Sequence, residues 1–437
     1  MNALSKIMKS RTLKEAVLNI PDSAFDTAGI IAAVMFVLGP AIQFLHKYLS
    51  PVFPSLMREI NSIVLLLGGL TLLLYAIKKI IVQKENPWQI LKRHYAIALA
   101  GVFAILMVVT TLLNSPSEIT IFGEAYRKEG LVGFLSYIVY FLLMAINRNE
   151  RQKKMLLCVF LSITAFASCL HVYIHYTCNI TIIEFTLHNS NHYGYLLATA
   201  IIVFAMQIIV SRKILFKVLC GFGMIVTVLT LLINNTLGAE LAVYVTCFAI
   251  CIIYSLSKGG FKAITLIPLA ILAVTIAFGA LTSIHIRTHL TSNNTQLIND
   301  MNTEGQESST GTARIRMWLK CGHYISERAF VGYGSDATGD RLLADTQISD
   351  RCHNEYINYA VSFGVPATAF YIAAIFAVYL RGLKHRRELT DSNLIGLCSA
   401  LAYLISALVG NTMYYTAPYL FIMLGMGYFK KSENKTV

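Results

Sequence analysis

Four arginines and one histidine, Arg127, Arg314, Arg316, Arg351 and His353, are the residues of this chain best suited to chemistry on an anion. An arginine presents a planar fork of donors that matches phosphate oxygens, and it keeps its charge at any ordinary pH. A histidine beside such forks holds or accepts a proton near neutrality. Gathered in one place, these groups could steady a departing diphosphate while a base takes the proton from an acceptor hydroxyl. All but Arg127 fall in residues 285–354, a mostly polar tract that carries Gly311-Thr-Ala-Arg-Ile-Arg-Met-Trp318 and runs into Arg351-Cys-His-Asn-Glu355.

The elements that must position them are apolar helices. Of the 437 residues 56% are hydrophobic and only 14% charged, far below the charged quarter of a soluble protein. Stretches long and apolar enough to cross the ~30 Å of a bilayer core run at 29–44, 60–77, 95–113, 131–146, 155–173, 194–210, 214–233, 237–256, 263–284, 356–380, 394–409 and 414–429. The expectation is therefore an all-α integral membrane protein of about 12 transmembrane helices. Residues 1–437 form a single polytopic domain, and 285–354 form one long extracytoplasmic insertion that contains short amphipathic helices and carries part of the active site. Lysine and arginine in short loops remain cytoplasmic, and placing both termini inside puts 25 of the 36 on that side. The +13 net charge is thereby assigned to orientation and to anionic lipid headgroups, and nucleic-acid binding is set aside. Residues 1–26, basic but without the apolar run of a signal peptide, read as a cytoplasmic amphipathic helix.

This topology sorts the polar groups. Arg127, Lys128 and Glu129, then His175, Glu184, His188 and His192, then Glu240, join the long tract on the outer face. His188 and His192 would share a helical face, but the third ligand of a metal site is missing, and local hydrogen bonding is the simpler reading. No metal and no cofactor is expected. Residues 291–310 have a composition that buries no core and are expected to be mobile. From Thr312 onward Ile315, Trp318, Leu319 and Ile325 recur at helical intervals beside Arg314, Arg316, Lys320 and Arg328, which predicts a helix lying on the membrane surface. Trp318 joins the four arginines among the candidate substrate-binding residues, although lipid anchoring alone would account for Arg316 and Trp318 there. The glycines of Gly332-Tyr-Gly334 would let backbone amides approach a ligand. A helix cap is the plain alternative for His353. Cys321 and Cys352 share the tract, and spacing does not decide whether they pair.

Three segments taken in order carry a resemblance: Arg314-Ile-Arg-Met-Trp318, Val331-Gly-Tyr-Gly334 and His353-Asn-Glu-Tyr-Ile-Asn-Tyr-Ala-Val-Ser-Phe-Gly364. They resemble the signature region of the bacterial O-antigen ligase and polymerase superfamily. Ala125-Tyr-Arg-Lys-Glu-Gly-Leu131 and Asn189-Ser-Asn-His-Tyr-Gly194 are similar to segments of some members. The resemblance implies a multi-pass protein of the bacterial inner membrane. It further implies inverting, metal-independent transfer of a glycan from an undecaprenyl-pyrophosphate-linked donor to a sugar hydroxyl on a lipid A core or a lipid-linked repeat unit. Arg314 would bind the pyrophosphate and His353 would activate the acceptor. Many members carry an arginine where this chain reads Asn235-Thr-Leu-Gly-Ala-Glu-Leu241. Arg127 is the substitute, with Glu240 either an acid or base or the partner that orients an arginine. The competing reading is a transporter of a glycan or lipid-linked substrate, which the spans disfavour because almost no ionisable residue lies at mid-depth.

Overall fold

The computed structural model describes residues 3–49, 56–124, 127–179, 189–292, 310–346 and 351–430, and among these the regular structure is helical throughout. Two short helices, α1 (Ala3–Met8) and α2 (Leu13–Asn19), precede α3 (Asp22–Leu49), α4 (Leu56–Val82), α5 (Pro87–Arg93) and α6 (Tyr95–Leu113). The middle of the chain forms α7 (Glu118–Phe122), α8 (Leu131–Ile146), α9 (Glu150–Cys178), α10 (Ser190–Val210), α11 (Ile214–Asn234), α12 (Leu237–Lys258) and α13 (Ala263–Thr282). Residues 284–292 form α14, followed by α15 (Thr310–Glu327), α16 (Gly339–Thr346), α17 (Glu355–Lys384), α18 (Asp391–Val409) and α19 (Ala417–Gly427).

Ten of these helices are long and apolar enough to cross a membrane, while α8 and α19 are apolar but shorter. At ~1.5 Å per residue, the 11 residues of α19 reach about half the thickness of a bilayer core. Every one of them is buried. The hydropathy that marks residues 414–429 as a span thus comes from enclosure by other helices, which sequence periodicity does not separate from contact with lipid.

Helix α10 is the centre of the molecule. Its apolar window is 94% buried, against 22% in α4 and 28% in α13, so α4 and α13 face outward and α10 faces protein on every side. It packs against α11, α12 and α18, and α18 in turn carries α19, which rests on α8. Close approach replaces hydrophobic exclusion as the cement between such helices. A Cβ on Gly425 would sit 2.6 Å from the Phe141 carbonyl oxygen, so α19 and α8 meet at a separation only glycine allows.

Side-chain and backbone bonds define two faces of the bundle. On one, Glu129 meets Arg351, Asn114 donates to the Val331 and Gly332 carbonyls, and Asn354 donates to the Leu408 carbonyl. On the other, Arg381 donates to the Phe429 and Arg93 carbonyls, Asn147 to that of Asp26, and Ser257 to that of Arg386. The described residues of the tract from 310 to 354 lie on the first face. The residues expected to be mobile fall mainly on 293–309, outside the described residues. Helix α15 packs on α17 and builds a second small core from Met317, Cys321, Tyr324, Leu342, Cys352 and Val361. Ile315 and Leu319 of the expected apolar stripe are 56% and 71% exposed. The face docked on α17 is a different one, formed by Met317, Cys321 and Tyr324.

Candidate functional site

The site is built on a broken helix. Within α17 the backbone of Gly364 has φ +83 and Pro366 follows, so the Ser362 carbonyl loses its i+4 donor because proline has no N–H. Residues 329–334 replace the missing partners. Tyr333 N–H donates to the Val361 carbonyl at 3.0 Å and Gly334 N–H to that of Ser362 at 2.8 Å, while Val365 N–H donates to the Ala329 carbonyl at 2.7 Å. The approach is so close that a Cβ on Gly332 would sit 2.6 Å from the Ser362 carbonyl carbon. This corrects the reading of Gly332-Tyr-Gly334 as a ligand cradle: the Tyr333 and Gly334 amides repair the break in α17. Arg328 adds a second tie, donating to the Asn114 side-chain oxygen at 2.7 Å and lying over the Tyr333 ring.

Ahead of the break, the first turn of α17 is capped by Asn354, whose side chain accepts from Ile357 N–H at 3.0 Å. His353, immediately before the cap, has φ +46. That left-handed conformation is costly for a residue with a Cβ, and strain of this kind persists where the surroundings over-determine it, as at functional sites. Two neighbours hold the segment in place. Trp318 of α15 donates its indole N–H to the Cys352 carbonyl at 2.8 Å, and the Cys321 and Cys352 thiols, both buried, lie 2.7 Å apart. Trp318, expected as a headgroup anchor or substrate contact, is half-buried and ties α15 to the residue before His353.

Arg351 is committed elsewhere. Its guanidinium pairs with Glu129 at 2.5 Å and with Asp336, and it donates to the Thr412 carbonyl at 3.3 Å. Glu129 is fully buried and also accepts from the Tyr137 hydroxyl at 2.7 Å. Asp336 accepts from the backbone N–H groups of Glu124 and Glu129, each at 3.1 Å. Burial drives the Glu129 carboxyl above its ordinary range against the pull of Arg351. A guanidinium shared by two carboxylates is a poor diphosphate ligand, since the anion would have to displace buried partners. The structure therefore gives Arg351 the role of a strut between the 124–130 loop, the 335–336 turn and the His353 segment. Glu129 and Asp336 are the members of this knot that sequence reasoning undervalued. Glu129 was visible beside Arg127, but nothing about Asp336 signalled it.

Beside the knot lies a cavity of about 510 Å³ whose walls include Arg127, Arg351, His353, Asn189 and Asn358, with Glu124, Asp336 and Asp340 at its acidic side. Arg127 and His353 thus share one space. Buried His192 sits within the electrostatic reach of Arg127, Arg351 and His353, with its ring edge-on to Tyr195 and Tyr415. Tyr195, one turn along α10, is in turn reached by the charge of half-buried Arg314. Arg314 is not one of the walls of the cavity, and the structure does not bring it together with His353 there. Arg316 is exposed on the outer side of α15. The partner proposed for His192 in a metal pair, His188, lies outside the described residues.

Glu240 belongs to a different locus. It is buried in the first turn of α12, pairs with His289 of α14 at 2.7 Å, and has the Tyr244 hydroxyl at 3.5 Å. Glu240, expected either as an acid or base or as the partner of an arginine, does not line the cavity and forms a buried link between α12 and α14.

With this geometry in view, comparison with known proteins gives one family. Residues 222–372 match the family model described as O-antigen ligase. The matched stretch runs from α11 to the middle of α17 and contains Arg314, the Gly332-Tyr-Gly334 clasp and His353. The match supports the O-antigen ligase superfamily and, with the apolar helices, a membrane enzyme of polysaccharide biosynthesis. No curated protein matches the chain.

Proposed function

We propose that this protein is a glycosyltransferase that moves a glycan from an undecaprenyl-pyrophosphate carrier to a sugar hydroxyl, working on the extracytoplasmic face of the inner membrane. The observation that carries the reading is the shared cavity of Arg127 and His353, braced by the Arg351 knot and the broken helix, with His353 and Arg351 in the stretch that matches the O-antigen ligase family. In the reaction His353 takes the proton of the acceptor hydroxyl, whose oxygen attacks the anomeric carbon. The bond from that carbon to the phosphate oxygen breaks, and the polyprenyl diphosphate leaves with the bonding pair. Arg127, together with Arg314, neutralises the charge that grows on the diphosphate, the part a divalent metal plays in other transferases. A single displacement inverts the anomeric centre. Residues 285–354 supply the base, one arginine and the cavity wall from Asp336 to Leu343, and the rest of the polytopic domain supplies the second arginine and the remaining wall.

The test is reconstitution of the purified protein with undecaprenyl-pyrophosphate glycan and acceptors offered one at a time. New product on a lipid A core identifies a ligase, and longer lipid-linked chains identify a polymerase. Movement of labelled glycan across the bilayer with no new glycosidic bond would replace this reading with transport.

A further inference from the structure

A second cavity, of about 310 Å³, lies at the opposite ends of α6 and α8 from His353. The 19 residues of α6 separate the two by about 28 Å at ~1.5 Å per residue, so they are distinct sites. Its walls are apolar, formed by Leu72 and Ile80 of α4, Ile90 of α5, Ile97 of α6, and Leu142 and Ile146 of α8. At its polar edge stand Lys79, Arg93, Arg148 and Lys430, with Glu85 the one carboxylate of the lining. Lys79 spends part of its charge on Glu85 at 3.3 Å and Asp22 at 4.0 Å. Asp26 accepts from the backbone N–H of Arg148 at 3.0 Å and is within the electrostatic reach of Arg148 and Lys430, and Lys430 also donates to the Tyr75 hydroxyl at 3.3 Å. Within the lining itself four cations face one carboxylate.

The position of the cavity identifies the medium around it. Leu66, Leu70 and Leu73 of α4 are exposed on the helix that forms one wall, and α5 presents exposed Trp88 with Lys92 over its ring at 5.3 Å. An exposed tryptophan and lysine on a short helix beside a bare apolar span mark headgroup depth. An occupant must then place an anion among the cations and an alkyl chain against leucine and isoleucine. We propose that this cavity binds one anionic glycerophospholipid, its phosphodiester between Arg93, Arg148 and Lys430 and one acyl chain running along α4. The charge excess selects the headgroup, and the apolar wall excludes a free anion as the sole ligand.

Native mass spectrometry of the full chain in detergent tests this, with phosphatidylglycerol as the probe and phosphatidylcholine of the same acyl chains, inorganic phosphate and undecaprenyl phosphate as comparisons. The expected result is a retained one-to-one phosphatidylglycerol adduct and none with phosphatidylcholine or phosphate. Arg93→Gln combined with Lys430→Gln should weaken that adduct roughly thirtyfold, the effect of losing two cations near an anionic headgroup. Ile97→Trp, which fills the apolar end and leaves every cation in place, should abolish it. Equal retention of both phospholipids by the wild type, or an undiminished adduct in both variants, overturns the proposal. Phosphate binding alone would show a free-anion site, and stronger retention of undecaprenyl phosphate would reassign the occupant, so either result also overturns it. The wild-type comparison stands even if a variant fails to fold.

Discussion

The two cavities at opposite ends of α6 and α8 use the same basic residue types to different ends. Around His353 the cations are threaded with carboxylates, as Arg351 is held by Glu129 and Asp336 and the cavity wall also carries Glu124 and Asp340. Around Lys430 the cations stand over isoleucine and leucine with little acid among them. A diphosphate entering the first must be recognised by position, through groups held in a preorganised setting. At the second, the proposed lipid is selected by charge together with the apolar wall. The +13 charge of the chain therefore reports mainly on the second face and says little about the reaction.

The comparison can be broken by substitutions on the His353 side. The largest expected effect is from His353→Ala, which should lower turnover by roughly 10² to 10⁴ while leaving expression and donor binding in place, since that is the contribution of a positioned base. Wild-type turnover in single-turnover assays would remove His353 from the chemistry. Arg127→Lys and Arg314→Lys should each lose about 10² to 10³ in rate, because an ammonium cannot reproduce the bidentate fork aimed at developing charge. If only one of the two is impaired, the diphosphate rests on a single arginine. Arg351→Met should act differently, lowering thermal stability by about 3 to 5 kcal/mol because Glu129 would be left buried without its partner. Adding Glu129→Gln and Asp336→Asn should restore most of that loss, and a stability unchanged by Arg351→Met would disprove the strut. The smallest effect is expected from Arg316→Gln, within about 0.5 kcal/mol in stability as for other exposed positions. A large loss of activity in that variant would place Arg316 back among the donor ligands.

The fold was legible where hydropathy speaks. The ten long spans fall on stretches whose apolar length exceeds what a soluble helix needs, and the ordered motifs around Arg314, Gly332 and His353 pointed to the family that residues 222–372 match. Less legible were the short helices and the faces of the tract. Helix α19 reads as a span because it is apolar on all sides, yet protein, not lipid, covers it. Ile315 and Leu319 keep helical spacing, yet the face that docks carries Met317 and Tyr324. Within the site the arginines looked equivalent. Their surroundings separate them: Arg351 is bound by Glu129 and Asp336, Arg127 lines the cavity, half-buried Arg314 does not line it, and Arg316 is exposed.

By itself the sequence determined that this protein is a bundle of apolar helices carrying one polar tract armed with arginine and histidine, because burial in lipid demands composition and length that can be read residue by residue. Only the tertiary structure decided which arginine the carboxylates hold, what the glycines do, and where Glu240 belongs. Those outcomes depend on groups brought together across the chain, Tyr333 with Val361, Glu240 with His289, and Glu129 with Arg351. Pairing of that kind is set by how helices pack, and local sequence carries no record of it.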